Sequence, residues 1–158
     1  MFGTPPGNGP FESLDVAAFA ARICIRERIP YTTTKMQKLL YCVYGVVLAQ
    51  FDRQICREVP HAWPYGPVFP RVFFHMHEGH SMDEYPTRLQ RELSPEEQAL
   101  VVRIVRFFGR YSADRLSCWS RLPGSPWERA VREKGARWTT TLRNADIADY
   151  FRRHVLAQ

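Results

Sequence analysis

Apolar side chains recur every three or four residues in several stretches of this chain, which is the spacing of one face of an α-helix. The first stretch begins at Ser13 and carries apolar residues at positions 16, 19, 20 and 23. We expect Ser13 to cap this helix and Asp15 to stabilise its positively polarised first turn. Pro30 is expected to end the helix.

The strongest helical pattern lies between Thr34 and Phe51. Its apolar face is so wide that little of the helix can face water, which predicts the central buried helix of the fold. Thr34, followed three residues later by Gln37, is typical of a capping box. The apolar positions are Met36, Leu39, Leu40, Val43, Val46, Val47 and Phe51.

Four prolines interrupt residues 52–70 and make that segment irregular. Apolar and polar residues alternate briefly within it, so a minor short β-hairpin is predicted near 54–65. A helix is expected to start among the prolines that follow and to end near Gly79. Residues 81–93 are polar and are expected to form a linker.

The second half of the chain contains four helix-start signals. Ser94 and Ser125 each open a Ser-Pro-x-Glu motif, in which serine caps the helix and proline takes its first position. Ser112 is expected to cap a short helix between them, and Asn144 to cap the last helix. Together these patterns predict an all-α fold, a compact single-domain bundle of about six to seven helices.

The length of 158 residues is sufficient to bury one core. Residues 1–12 are rich in proline and glycine and are expected to form a flexible N-terminal tail ahead of one domain over 13–158. The first ten residues lack the basic start and apolar stretch of a secretion signal. No apolar run approaches the roughly 20 residues of a membrane-spanning helix, so we expect no membrane partner.

The four cysteines are scattered and contain no C-x-x-C pair, which favours reduced thiols in a cytoplasmic protein. Cys24 and Cys42 stand among apolar positions and are expected to be small core residues. No histidine lies near Cys56 or Cys118 in the sequence to activate a nucleophile. The cysteines therefore do not point to an enzyme.

No other pattern points to an enzyme, a metal or a cofactor. His75, His77 and His80 lack the H-x-x-x-H spacing of zinc proteases, and only the last two can share a helix face. A polar helix end is the favoured interpretation, because histidine suits the negative C-terminal dipole. Glycine motifs for phosphate binding are absent from the sequence. We therefore expect no catalytic residues, no cofactor and no metal site.

The formal net charge of +6 leaves a nucleic-acid partner open. The best basic helix surface is the stripe formed by Arg103, Arg106 and Arg110. A DNA reader needs an exposed polar helix that reaches base edges, and scattered arginines more often form a solvated face. A DNA-binding, autoregulatory protein of a mobile element or prophage is therefore kept as the alternative function.

Three segments with large, rigid side chains remain without a chemical role. They are KMQKLLYCVYG at 35–45, AWPYGPVFP at 62–70 and LSCWSRLPGSPW at 116–127. In this order they resemble the K-L-Q-K-L-L-Y-Y-A-x-G helix, the A-W-x-Y-G-P-V-x-P loop and the L-S-x-x-T-H-x-x-x-P-W segment of the Panacea domain, the SocA-like antitoxin family. Ser120 and Arg121 depart from the usual Thr-His of that last segment.

The resemblance covers about residues 13–152 and implies an all-α, cytoplasmic, often prophage-encoded antitoxin that is not an enzyme. Proteins of this kind bind a co-encoded toxin directly, and a SocA-like member is also a proteolytic adaptor that delivers its toxin to ClpXP. The implied partners are a cognate toxin protein and, as an open alternative, the protease component ClpX. The candidate partner-binding residues are Lys35, Lys38, Tyr41, Trp63, Tyr65, Gly66, Pro67, Arg71, Ser117 and Trp127.

Two interpretations of the central loop stay open. Trp63, Tyr65, Arg71 and Trp127 are suited to anchor a protein interface, and the prolines of the loop would lower the entropic cost of binding. Alternatively, Gly66 and Pro67 only turn the chain into the next helix, while Trp63 covers the core.

Overall fold

A computed structural model of the protein describes residues 10–157, which form eight α-helices, one two-stranded antiparallel hairpin and a closing π-helical turn. The all-α prediction is therefore confirmed. In chain order the elements are α1 (Ser13–Arg26), α2 (Thr33–Phe51), β1 (His61–Trp63), β2 (Gly66–Val68), α3 (Pro70–His77), α4 (Leu89–Glu92), α5 (Pro95–Gly109), α6 (Ala113–Ser120), α7 (Pro126–Lys134), α8 (Asn144–Phe151) and the π-helical turn (Arg152–Leu156).

Helix α2 is the central buried helix, as its wide apolar face predicts. Every residue from Met36 to Ala49 is buried, and α1, α3, α5, α6, α8 and the hairpin all pack against it. The ring of Phe151 crosses α2 so closely at Gly45 that an added Cβ there would lie 2.3 Å from its Cζ atom. The absence of a side chain at Gly45 is therefore what allows α8 to pack against the middle of α2.

Three of the predicted serine caps are confirmed. The Oγ atoms of Ser94, Ser112 and Ser125 accept the backbone N–H three residues ahead at 3.1, 3.2 and 3.2 Å. Each bond satisfies one of the otherwise unpaired amides at the start of α5, α6 and α7.

The predicted cap at Thr34 is wrong, because α2 begins two residues earlier. Thr32 is the N-cap, and its Oγ1 accepts the N–H of Lys35 at 3.2 Å. Gln37, the presumed partner in a capping box, is buried and bonds to the backbone of Phe69 instead. A buried amide needs partners for all its polar atoms, and a distant segment supplies them here.

The predicted caps at Ser13 and Asn144 are also wrong. Glu12 and Arg143 occupy the N-cap positions, and neither makes a side-chain capping bond. Ser13 donates from its Oγ to Glu58, and the Asn144 amide accepts from Tyr44 at 2.6 Å and donates to Gln54 at 2.8 Å. In both cases a partner distant in sequence replaces the local cap.

Helix α1 ends before Pro30, and the proline does not terminate it. Arg28 adopts the left-handed conformation with φ 58°, so its N–H donates to Ile25 at 3.2 Å. The N–H of Ile29 closes back to Cys24 at 2.8 Å. This is the arrangement of a Schellman motif, in which two late amides satisfy the last carbonyls of the helix.

The hairpin forms at 61–68, later than the predicted 54–65, with Trp63 paired to Gly66 across the turn. The earlier segment pairs instead with the start of the chain: Phe11 forms a parallel bridge to Cys56 and is buried. The predicted tail over 1–12 is therefore too long at its C-terminal end. Residues 1–9 lie outside the described residues.

The segment 81–93 is not a simple polar linker. It contains α4, and Met82, Leu89 and Leu93 are buried in the core. The Thr87 Oγ1 donates to the carbonyl of Asp15 at 3.1 Å, which fastens the segment to α1. Widely spaced apolar residues have no helical period, so the packing of this segment was not apparent from its pattern.

Among residues 10–157, no helix combines the length and apolar character that crossing a membrane would require.

Candidate partner-binding site

Side chains of α2 form hydrogen bonds with the backbone of the hairpin and of the residue that leads into α3. The Gln37 side chain donates from Nε2 to the Phe69 carbonyl at 3.2 Å and accepts the Phe69 N–H at its Oε1 at 2.7 Å. Both groups are buried, so this pair of bonds satisfies the backbone at the point where the strand becomes a helix.

Lys38 lies one residue further along α2 and is buried beneath the hairpin. Its Nζ donates to the Pro67 carbonyl at 3.1 Å, and in the described part of the chain it forms no ion pair. Burial, and secondarily the positive charge of Arg121, lowers the pKa of Lys38 to about 8. A cation with one hydrogen bond and no carboxylate therefore supports the loop.

The turn of the hairpin requires glycine at position 66. Gly66 has a φ of 118°, a conformation that other residues rarely adopt. A Cβ at this position would also lie 2.6 Å from the Ser120 Oγ and 3.0 Å from the Lys38 Cε. Conformation and space therefore both exclude a side chain at position 66.

Helix α6 supports the turn from its other side. The Ser117 Oγ donates to the Tyr65 carbonyl at 2.9 Å, while the Ser120 Oγ and the Arg121 Nε donate back to the Ser117 carbonyl at 2.8 and 3.2 Å. Ser120 and Arg121 are the residues that replace the usual Thr-His of the Panacea motif. Here a small hydroxyl fills the space directly beneath Gly66.

Two indole hydrogen bonds link three tryptophans around the hairpin. The Trp127 Nε1 donates to the Trp63 carbonyl at 2.7 Å, and the Trp63 Nε1 donates to the Trp138 carbonyl at 3.3 Å. Trp63 is only 8% exposed, because the rings of Phe73 and Trp138 pack edge-on against it with centroids at 5.2 and 4.3 Å. Trp63 is therefore buried among the aromatic side chains around the hairpin, and both interpretations of the loop stay predictions.

Three aromatic side chains around this hairpin face solvent. Tyr65 at the turn is 74% exposed, Trp138 is 66% exposed and Phe74 on α3 is 48% exposed. The latter two contact Trp63. We call Tyr65, Phe74 and Trp138 the hairpin face. Exposed aromatic side chains around a hydrogen-bonded hairpin are of the kind that anchors protein interfaces.

The sequence analysis missed Phe74 and Trp138. Phe74 is part of an aromatic run, and the periodicity there suggested only a helix. Trp138 stands in the polar, non-periodic segment between α7 and α8, and a lone tryptophan in such a segment is the signal that could have found it.

The structure separates the ten predicted contact residues into exposed and buried groups. Tyr65 and Arg71 are exposed, and Lys35 and Trp127 are partly buried. The Lys35 Nζ donates to the Gly109 carbonyl at 2.7 Å, and Arg71 forms ion pairs with Glu12 and Glu58. The residues buried in the structure are Lys38, Tyr41, Trp63, Gly66, Pro67 and Ser117.

For the six buried residues, direct contact with a partner stays a prediction, while the structure places them inside the molecule. Tyr41 is an example, since its ring packs against Phe151 at a centroid distance of 5.4 Å and burial raises its pKa well above the usual value. Lys38 and Ser117 instead hold the backbone of the hairpin from inside.

The other chemical candidates are located as follows. Within residues 10–157 no cluster of three or more histidine, cysteine or carboxylate side chains is arranged to hold a metal ion. Cys24 and Cys42 are buried, as predicted, and burial raises the pKa of Cys24 to about 11. Cys56 is buried as well, and burial raises its thiol pKa, which does not suit a nucleophile.

Two of the three arginines in the basic stripe of α5 contact other residues of the molecule. Arg106 forms an ion pair with Glu27, and the Arg110 guanidinium lies 4.5 Å from the centroid of the Phe107 ring. A nucleic-acid partner is therefore not supported by this surface.

The model of the family described as "Antitoxin SocA-like, Panacea domain" matches residues 36–128, more than half of the chain. The chain belongs to this SocA-like Panacea family. The matched segment includes most of α2, the hairpin, α6 and the first turn of α7, which are the elements that build the site. Membership suggests a non-enzymatic, regulatory role.

A curated relative in the Panacea family extends the match. The chain is 26% identical over 165 residues to "Antitoxin SocA" of Caulobacter vibrioides (strain NA1000 / CB15N), which covers 94% of this chain and 88% of the relative. No solved structure matches the chain significantly. The family, together with this named antitoxin, implies a toxin partner for the Panacea domain described above.

Proposed function

We propose that this protein is the antitoxin of a toxin–antitoxin pair and neutralises its co-encoded toxin by direct protein–protein binding at the hairpin face. The observation that carries the proposal is the exposure of Tyr65, Phe74 and Trp138 around one rigid hairpin. Aromatic anchors in a preorganised surface supply most of the affinity of typical interfaces.

The rigidity of the hairpin supports this role. Lys38, Gln37 and Ser117 each bond to the backbone of the loop from within the molecule. A surface already held in one conformation loses little entropy on binding, so more of the contact energy appears as affinity. Neutralisation by occlusion needs affinity and coverage of the toxin, and requires no catalytic group of the antitoxin.

Trp138 is the residue to which we assign recognition of the particular toxin. It lies beyond the segment matched by the family, which ends at residue 128, while the residues that support the hairpin lie within it. Its large exposed ring rests on Trp63 at a centroid distance of 4.3 Å. The segment shared with the family thus supports the hairpin, and Trp138 adds a contact from outside that segment.

Delivery of the bound toxin to the ClpXP protease is a second part of the proposal. The resemblance to SocA-like antitoxins supports it, and occlusion by the hairpin face does not depend on it. The proposal places both proteins in the cytoplasm, in keeping with four cysteines that are all free thiols.

A co-expression rescue with co-purification tests the proposed function. The neighbouring open reading frame is induced alone and together with this protein, in hosts with and without ClpX. Restored growth in both hosts, together with a stable purified complex, is the result expected for direct neutralisation. Rescue that needs ClpX assigns the effect to degradation. A neighbour that is harmless alone, or that never co-purifies, overturns the proposal.

A further inference from the structure

A cavity lies beside α6, next to a face of that helix different from the one that supports the hairpin. It is a cavity of about 310 Å³ between α5, α6 and the π-helical turn. Its apolar wall is formed by Phe107, Phe108, Tyr111, Leu116, Trp119 and Val155. This volume is near the lower end of the range for small-ligand sites, and such sites are usually apolar with a few polar groups.

Helix α6 divides the two sites between its faces. Ser117 bonds to the Tyr65 carbonyl and the Ser120 Oγ lies beneath Gly66, whereas Leu116 and Trp119 line the cavity. The two serines of α6 support the partner-binding hairpin, whereas the proposed function does not use the cavity. Occupation of the cavity and of the hairpin face can therefore be measured separately.

The rim of the cavity is positively charged. Arg115 lines it, with the guanidinium 5.3 Å from the centroid of the Tyr111 ring, and the Arg110 guanidinium lies 5.6 Å from the same centroid. Neither arginine forms an ion pair with a carboxylate among the described residues. The Arg115 guanidinium is thus held at the cavity on an aromatic face, without a carboxylate partner among the described residues, which suits an anionic group of a ligand. Arg110 lies beside the same ring but is not part of the cavity lining.

One side of the cavity is formed by a turn with an uncommon backbone conformation. Residues Arg152–Leu156 form a π-helical turn after α8, and this turn brings His154 and Val155 into the cavity wall. The His154 ring packs at 4.5 Å from the Tyr150 ring. Single π-helical turns are rare in proteins as a whole, but many of those that occur lie at functional sites.

We propose that this cavity binds a small aromatic carboxylate, with the ring against Phe108 and Trp119 and the carboxylate at the Arg115 guanidinium. The apolar wall selects a flat ring, and the uncompensated charge at the rim selects an anion over a neutral or cationic analogue. The site is independent of the hairpin face. A ligand there would contact α6, which also supports the Tyr65 turn through Ser117.

The four tryptophans of the chain make a direct test. Indole N–H resonances of ¹⁵N-labelled protein are followed while 2-naphthoate is added, and the Trp119→Phe variant assigns the resonance at the cavity. We expect saturable shifts at Trp119, with a dissociation constant on the order of 1 mM or lower, as suits a ligand of this size. The resonances of Trp63, Trp127 and Trp138 should move far less.

Charge selection is tested with matched ligands and variants. 2-Naphthalenemethanol has the same rings without the carboxylate and should bind roughly tenfold more weakly. Arg115→Gln should weaken the binding of 2-naphthoate by a similar factor. Arg103 is an exposed arginine of α5 outside the cavity lining, so Arg103→Gln should leave the affinity for 2-naphthoate unchanged.

Three results would overturn the proposal. The first is no shift at Trp119 up to the solubility of 2-naphthoate, and the second is equal binding of acid and alcohol. The third is a shift of Trp138 at the same concentrations, which would mean that the probe only adheres to exposed aromatic rings. If the toxin rather than 2-naphthoate shifts Trp119, the cavity is part of the protein interface and not a small-molecule site.

Discussion

The Nζ of Lys38 donates to the carbonyl of Pro67 at 3.1 Å, so a buried ammonium group on the central helix holds the exit strand of the hairpin. Among residues 10–157 no carboxylate pairs with this cation. The desolvation cost of the charge is therefore largely uncompensated, and it appears as a lowered pKa.

This pKa makes stability depend on pH with a definite sign. Burial lowers the Lys38 pKa to about 8 from the usual 10.5, so between these values the unfolded chain holds more protons at Lys38 than the folded protein does. The free energy of unfolding attributable to this side chain is therefore lowest below pH 8 and rises as the pH approaches 10.5. The difference corresponds to about 3 kcal/mol.

We accordingly expect Lys38→Met, which keeps an unbranched side chain one atom shorter and without the charge, to remove this dependence. Urea unfolding at pH 7.5, 9 and 10.5 measures the free energy of unfolding of the variant and of the parent protein. The value for the variant minus the value for the parent should fall by about 3 kcal/mol from pH 7.5 to pH 10.5. The control is Lys134→Met, at an exposed lysine of α7. A difference that stays constant with pH would refute the role of Lys38.

Gly66→Ala should destabilise the protein by about 2–4 kcal/mol, because strain at a φ of 118° adds to a clash with Ser120 and Lys38. Gly79→Ala is the matched control, since Gly79 has a φ of 92° but nothing within 4 Å of the added Cβ. It should cost only the conformational part, about 1 kcal/mol.

Thermal or urea unfolding distinguishes the two contributions at Gly66. If the clash contributes, Ser120→Ala combined with Gly66→Ala should recover part of the loss, since the nearest atom is the Ser120 Oγ. Equal losses for Gly66→Ala and Gly79→Ala would show that space beneath the turn is not a constraint.

The start of α2 provides a test of capping. Thr32→Ala should lower the free energy of unfolding by about 1 kcal/mol because the Thr32 Oγ1 accepts the Lys35 N–H, whereas the nearby Thr34→Ala should be within about 0.5 kcal/mol of the parent.

Gln37→Leu should lower the free energy of unfolding by more than either substitution, about 2–4 kcal/mol, because the N–H and C=O of Phe69 lose their buried partner. Urea midpoints at constant slope measure all three, and a larger effect at Thr34 than at Thr32 would contradict the assignment.

The hairpin face makes a prediction about affinity. Trp138→Ala should weaken the complex with the toxin at least about tenfold, since exposed tryptophans at an interface centre are frequent hot spots. Stability should change by less than about 1 kcal/mol, because most of the ring is already in water.

Ile25→Ala is the control for that experiment, because Ile25 is an exposed apolar residue of α1, remote in sequence from the hairpin. Titration calorimetry with the purified toxin measures both variants, and circular dichroism checks that both remain folded. An unchanged affinity for Trp138→Ala would remove this residue from the contact surface.

The sequence by itself determined the helical class, the central buried helix and three of the serine caps. These features follow from local periodicity and from side chains that bond within one turn, as Ser94, Ser112 and Ser125 do. The Panacea motifs likewise identified the loop around Trp63, since the spacing of the three segments is a property of the chain itself.

Only the tertiary structure decided what the individual residues of those motifs do. Gln37, Ser13 and Asn144 carry good local capping chemistry, yet each is bonded to a distant segment that would otherwise be left unsatisfied. Lys38 and Tyr41 are buried while Trp138 is exposed, because the exposure of a side chain depends on which segments pack over it. Such long-range pairing has no period along the chain, and it is settled only when the core closes.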